Sequence, residues 1–238
     1  MNTAAAPLAI VGGTVISYAI ALAIGAPWLV PILNVLPAFP FMVVSLRRGD
    51  VADAIVRMLI WAAALGICAT SIAYKWPDTA ATLFVHGAEY RREMFEFVLT
   101  GRGAEGNIRQ FLPQHLLHAA IFSALALATA GTLAMTLGAA LMNYMGAYVG
   151  GLAAVSAHPV RTMALAWVPW ALIRIASFVV LGVVLAGPLL ARLLGFAYRL
   201  RDHRRWLALA AAGLVADIVL KWALADWWRT LIRHAAGW

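Results

Sequence analysis

Two long stretches of this chain, residues 1–46 and 110–160, carry no Asp, Glu, Lys or Arg. A bilayer's hydrocarbon core, about 30 Å thick, is crossed by a helix of roughly 20 apolar residues. Each stretch is therefore long enough for two crossings. Shorter apolar runs follow, each bounded by charged turns. The pattern predicts seven spans, at residues 7–24, 28–46, 51–74, 112–130, 133–152, 162–189 and 206–224. The expected fold class is all-α: a polytopic transmembrane helix bundle forming one membrane domain over residues 1–238, with one external amphipathic surface helix.

Local signals refine this outline. The second span contains Pro31, Pro37 and Pro40. Proline removes a backbone donor and clashes with the preceding turn. That span must be kinked or partly re-entrant, and its freed carbonyls need partners inside the protein. In the polar stretch 75–110, Glu89, Glu93, Glu96 and Thr100 recur at helical spacing, with Tyr90, Met94, Phe97 and Val98 opposite them. This is an amphipathic helix suited to lying on the membrane surface. A glycine-rich loop, Gly101 to Gly106, ends it.

The second uncharged stretch needs a break near Gly131, because one helix of that length would overshoot the bilayer. With the break, Arg47 and Arg48 lie on the same side as the five arginines between Arg192 and Arg205. The positive-inside rule makes that the cytoplasmic side. The N-terminus is then expected inside, and the 75–110 segment and the C-terminus outside. Small residues crowd the fourth and fifth spans (Gly131, Gly138, Ala139, Gly146, Gly150, Gly151), where they allow close helix approach.

Composition agrees: 64% of residues are hydrophobic and only 12% charged, against about 25% charged in ordinary globular chains. The net charge of +8 sits beside apolar spans rather than on a soluble module. That suits anionic lipid and excludes a nucleic-acid partner. The lone Cys68 excludes an intramolecular disulfide and any multi-cysteine metal site. The N-terminus lacks the positive region of a signal peptide, so the first span is expected to be retained. A bacterial cytoplasmic (inner) membrane is the expected location, with membrane lipids and other membrane subunits as partners.

Two groups of polar residues are candidates for chemistry. Asn143, Arg174 and Asp217 count out near mid-depth of spans five, six and seven, with Lys221 one turn from Asp217. Ionisable groups at that depth need partners. A buried polar layer is expected, with Arg174 paired to Asp217 and flanked by the rings of Trp170 and Phe178. This is either a structural staple or a substrate or proton site.

The second group is His86, His115, His118 and His158, all on the expected outer side near Glu89 and Glu93. Imidazoles with carboxylates suit a divalent metal, and haem ligation is a further possibility. In an enzyme, Glu93, His115 and His118 would be the catalytic set, with a metal-bound water as nucleophile.

Asp217-x-x-x-Lys221 on a last span resembles the retinal-binding helix of microbial rhodopsins. The third span, however, holds only Asp53 at its inner end, and the Arg-Tyr-x-Asp-Trp type motif is missing. Phe111-x-x-x-His115 after a glutamate-rich helix resembles one motif of CAAX-protease-like membrane proteins. Glu89-Tyr-Arg-Arg-Glu93 departs from that family's adjacent glutamates, and no His-x-x-x-Asn follows. The chain is placed in neither family. With no nucleotide loop and no sizeable soluble domain, the first functional reading is a non-enzymatic subunit of a membrane assembly, or a lipid or small-molecule permease component. The alternative is an intramembrane hydrolase, with or without a metal, whose Glu/His site faces outward.

Overall fold

The computed structural model describes residues 5–238, and every regular element among them is helical. In chain order these are α1 (Ala5–Ile24), α2 (Leu29–Val35), α3 (Phe39–Arg47), α4 (Val51–Lys75), α5 (Pro77–Leu83), α6 (Gly87–Thr100), α7 (Ile108–Ala128), α8 (Thr132–Ala154), α9 (Pro159–Ala166), α10 (Pro169–Leu194) and α11 (Arg204–Ala236). Short 3₁₀ turns occupy Ala104–Gly106 and Leu200–His203.

Six stretches are long and apolar enough to cross a membrane: α1, α2 with α3, α4, α7, α10 and α11 with its preceding turn. The molecule is a membrane-embedded helical bundle. The expected fifth span, α8, is a helix that stands apart from these six by its four glycines, two tyrosines and Asn143. It lies at the centre of the bundle, packed against α2, α4, α6, α7 and α9. Its 23 residues still extend about 35 Å at 1.5 Å per residue.

The α4–α8 seam is made by absence of side chains. A Cβ added at Gly150 would lie 2.7 Å from Ala73 Cβ and from the Tyr74 amide nitrogen, and one at Gly146 would lie 2.9 Å from the Ala69 carbonyl carbon. Only glycine lets these two backbones approach so closely.

The proline-rich second span breaks into α2 and α3 between Leu36 and Ala38. The Ala38 amide turns back to the Val35 carbonyl, which frees the Asn34 carbonyl. The Trp61 indole donates to it at 2.8 Å. The Thr129–Gly131 turn, with Ala130 and Gly131 at positive φ, separates α7 from α8 where the sequence placed the split.

Three expectations change. The sixth span, 162–189, is not continuous: α9 ends at Ala166 and α10 starts at Pro169, with Val168 extended at φ −61°, ψ 143°. Proline disfavours a helical conformation in the residue before it. The last helix runs to Ala236, not to 224, and its 33 residues reach about 50 Å, well beyond a hydrocarbon core. Finally, α6 buries Met94, Phe97 and Val98 against Met145, Tyr148, Val149 and Leu152 of α8. Its apolar face meets protein rather than lipid, while Glu89, Glu93 and Glu96 face out.

The far end of α11 completes a cap with α6 and the 155–158 turn. The Ala157 amide donates to the Ala236 carbonyl at 3.0 Å, and the Trp228 indole to the Leu165 carbonyl at 2.7 Å. The arginine-rich 192–205 segment and the Arg47–Arg48 turn lie at the opposite end, as the alternating helix directions require.

Candidate functional site

Beneath the cap, three helices each aim two side chains one turn apart at a common centre. Residues four apart on a helix share a face. On α7 these are Phe111 and His115, on α10 Arg174 and Phe178, and on α11 Asp217 and Lys221. Asp217 is 0% exposed, Lys221 2% and His115 3%.

Asp217 Oδ2 lies 3.1 Å from Arg174 Nε and 3.4 Å from His115 Nδ1. The Arg174 contact is a charge pair and the His115 contact joins a carboxylate to an imidazole; neither has hydrogen-bond alignment. Lys221 Nζ meets Glu105 Oε1 at 2.7 Å and sits 3.3 Å from the centroid of the Phe111 ring. Arg174 Cζ is 5.4 Å from the same ring centre. The ring holding the guanidinium is therefore Phe111 from α7, in place of the expected Trp170, which stacks edge-on against Trp228. The two cations and two carboxylates of this cluster balance, which lowers the cost of burying them.

Glu105 arrives by way of the glycine-rich loop. Gly101 and Gly103 adopt φ +77° and +114°, conformations that L side chains rarely take. These turns fold the 104–106 segment inward over Lys221. Tyr90 of α6, outside the spans, borders the same space. Burial, with the nearby Glu105 carboxylate, raises its hydroxyl well above the ordinary range, while Arg174 opposes the shift. Tyr90 therefore stays protonated at neutral pH.

A cavity of about 230 Å³ passes this cluster. That exceeds the roughly 150 Å³ apolar cavity that admits benzene in an engineered protein. On one side of the charged layer its walls include Met42, Met58 and Phe122, and on the other Met94, Phe97 and Ile232 together with Arg229. Between them, Glu105, His115 and Arg174 line it, with Gln114 and His118 of α7 on its exposed border. The imidazole Nε2 of His115 is buried and has no protein partner among the described residues.

The sequence-derived candidates divide accordingly. Arg174, Asp217, His115 and Lys221 come together, and His118 borders the cavity. Glu93 projects from the exposed face of α6 and does not line it. His86 is exposed and 3.2 Å from Glu89, while His158 is exposed at the start of α9. Among the described residues, no three His, Cys, Asp or Glu side chains stand close enough to hold a metal ion.

Asn143 belongs to a different network. Its side chain accepts from the Tyr18 hydroxyl and donates to Asn34 Oδ1 at 3.2 Å, and Asn34 donates to Ser17 Oγ at 2.9 Å. This joins α1, α2 and α8 away from the Asp217 layer. Sequence reasoning missed Glu105 and Phe111 as members of the cluster. The inward loop was signalled only by its glycines.

Comparison with protein-family models, with curated proteins and with solved structures finds no match for this chain.

Proposed function

We propose that this is a lipid- or small-molecule-binding protein of a bacterial cytoplasmic membrane, acting as a carrier or permease component. Its ligand is an elongated, largely apolar molecule with one uncharged polar group along its length. The observation that carries this reading is the cavity: largely apolar on both sides of the charged layer, with Arg229 also lining its capped end. Because Arg174 and Lys221 are already matched by Asp217 and Glu105, a ligand need not bring a charge. An ester, ketone or alcohol oxygen at Arg174 suffices.

Trp61, Trp170 and Trp228 line the cavity, so a bound brominated ligand would quench them. In lipid nanodiscs, a brominated medium-chain alkyl ester should quench tryptophan fluorescence saturably. Gly138, whose added Cβ would meet only the Phe122 ring at 3.8 Å, offers a way to block the space. Gly138→Leu should abolish saturable quenching while leaving the thermal midpoint nearly unchanged. Linear quenching, identical in both proteins, would mean partition into lipid only and would contradict the reading.

The orientation proposed with this function is N-terminus inside and the capped end outside, because the opposite end carries the arginine-rich turns. Thr100 is exposed and Ser156 partly exposed at the capped end. Cysteines placed there, in a chain with Cys68→Ala, should both react with a membrane-impermeant thiol reagent in intact cells. Protection of both sites until the cells are opened would reverse the orientation.

A further inference from the structure

We infer that His115 and Asp217 form a proton-accepting pair that hydrolyses a carboxylic ester held in the cavity. The inference rests on the ligand-binding reading above and assigns it a reaction. Three observations support it.

First, the imidazole has the right neighbours on its two nitrogens. Nδ1 is 3.4 Å from Asp217 Oδ2, while Nε2 is buried without a protein partner on a side chain that lines the cavity. Once this contact shortens to a hydrogen bond, a carboxylate at Nδ1 fixes the tautomer that leaves Nε2 free to accept a proton and stabilises the imidazolium that results. Such contacts are often long without substrate and tighten when it binds.

Second, a cation stands beside the pair. Arg174 shares the Asp217 carboxylate, is a quarter exposed, and lines the same cavity. A fixed cation in a water-poor site stabilises the negative oxygen of a tetrahedral intermediate.

Third, the surroundings select the substrate class. Apolar walls on both sides of the layer suit an ester with a hydrocarbon group on each side of its linkage. Gln114 and His118 of α7 add polar groups at the border of the same cavity.

The step balances with water alone. Water oxygen attacks the carbonyl carbon as one water proton passes to His115 Nε2. The carbonyl electron pair moves onto oxygen, beside Arg174. Collapse restores the carbonyl and breaks the bond to the alcohol oxygen, which takes the proton back from Nε2. The products are one carboxylic acid and one alcohol, and the imidazole is regenerated neutral. Asp217 acts as a positioning residue.

The test uses the intact protein in nanodiscs with medium-chain alkyl esters. Release of acid and alcohol is followed by mass spectrometry, and binding by quenching with the brominated analogue. Wild-type protein should release acid and alcohol in equal amounts over many turnovers. His115→Gln should lose at least a hundredfold in kcat while its quenching curve stays within a few-fold of wild type. Asp217→Asn, assayed below its own lowered thermal midpoint, should lower kcat with KM and the quenching curve little changed, where a merely structural role would weaken binding along with turnover. Saturable quenching of wild type without turnover would overturn the hydrolase inference and leave the binding proposal standing. Turnover that survives in His115→Gln would equally overturn it. Absence of saturable quenching in wild type would remove both.

Discussion

Asp217→Ala should cost the folded protein about 3–5 kcal/mol, the range typical of breaking a buried ion pair by removing one partner. The substitution strands Arg174 and leaves the buried Lys221 with Glu105 alone, since among the described residues no other acidic group touches either cation. Thermal unfolding in detergent should show a large fall in midpoint. Replacing both members of a buried pair by apolar residues is often neutral. The double variant Asp217→Leu/Arg174→Leu should therefore be markedly more stable than Asp217→Ala, since Lys221 keeps Glu105. Losses that add in the double variant would show that the two side chains act independently.

Gly150→Val should be the most damaging single change outside the charged layer. Its side chain would collide with Ala73 and with the Tyr74 backbone of α4, and backbone cannot rotate away. Overpacking typically costs about 1–3 kcal/mol and more where nothing yields. The expected result is little folded protein in detergent and exposure of Cys68 to thiol reagents. Gly12 of α1 provides the contrast. An added Cβ there meets nothing within 4 Å, and alanine is favoured over glycine in a helix by about 1 kcal/mol. Gly12→Ala should be neutral or slightly stabilising. Equal tolerance at the two positions would contradict the account of the α4–α8 seam.

The sequence made the helical pattern legible because its signals were local. The charge-free stretches marked the spans, Gly131 marked the turn, and the glutamate spacing marked which face of α6 points outward. Pro169 was an equally local signal for the break between α9 and α10, but hydropathy runs straight through it and obscured it. The end of α11 was hidden for the opposite reason. Asp226, Arg229 and Arg233 look like the end of a span, yet they continue the helix into a protein cap rather than into lipid.

The candidate site was less legible. Counting depth along two spans brought Arg174 opposite Asp217. The same count put Asn143 in that layer, although it faces α1 and α2. Depth does not reveal which way a helix is rotated. His115 and Asp217 are separated by 102 positions (217 minus 115), and Glu105 and Lys221 by 116 (221 minus 105). No periodicity within one helix encodes such pairings. They follow from how α7, α10 and α11 pack, and from two glycine conformations that turn a loop inward.

An elongated apolar ligand is expected in the space beside Arg174 and His115, and photolabelling locates it most directly. A medium-chain ester carrying a diazirine on its alkyl arm would be irradiated with the protein in nanodiscs, and the labelled peptides sequenced. Cross-links are expected at cavity-facing residues such as Phe122, Met142 and Tyr144, suppressed by excess unlabelled ester and absent in Gly138→Leu. Labels confined to lipid-facing positions such as Leu8 and Val15, or unaffected by competitor, would contradict it.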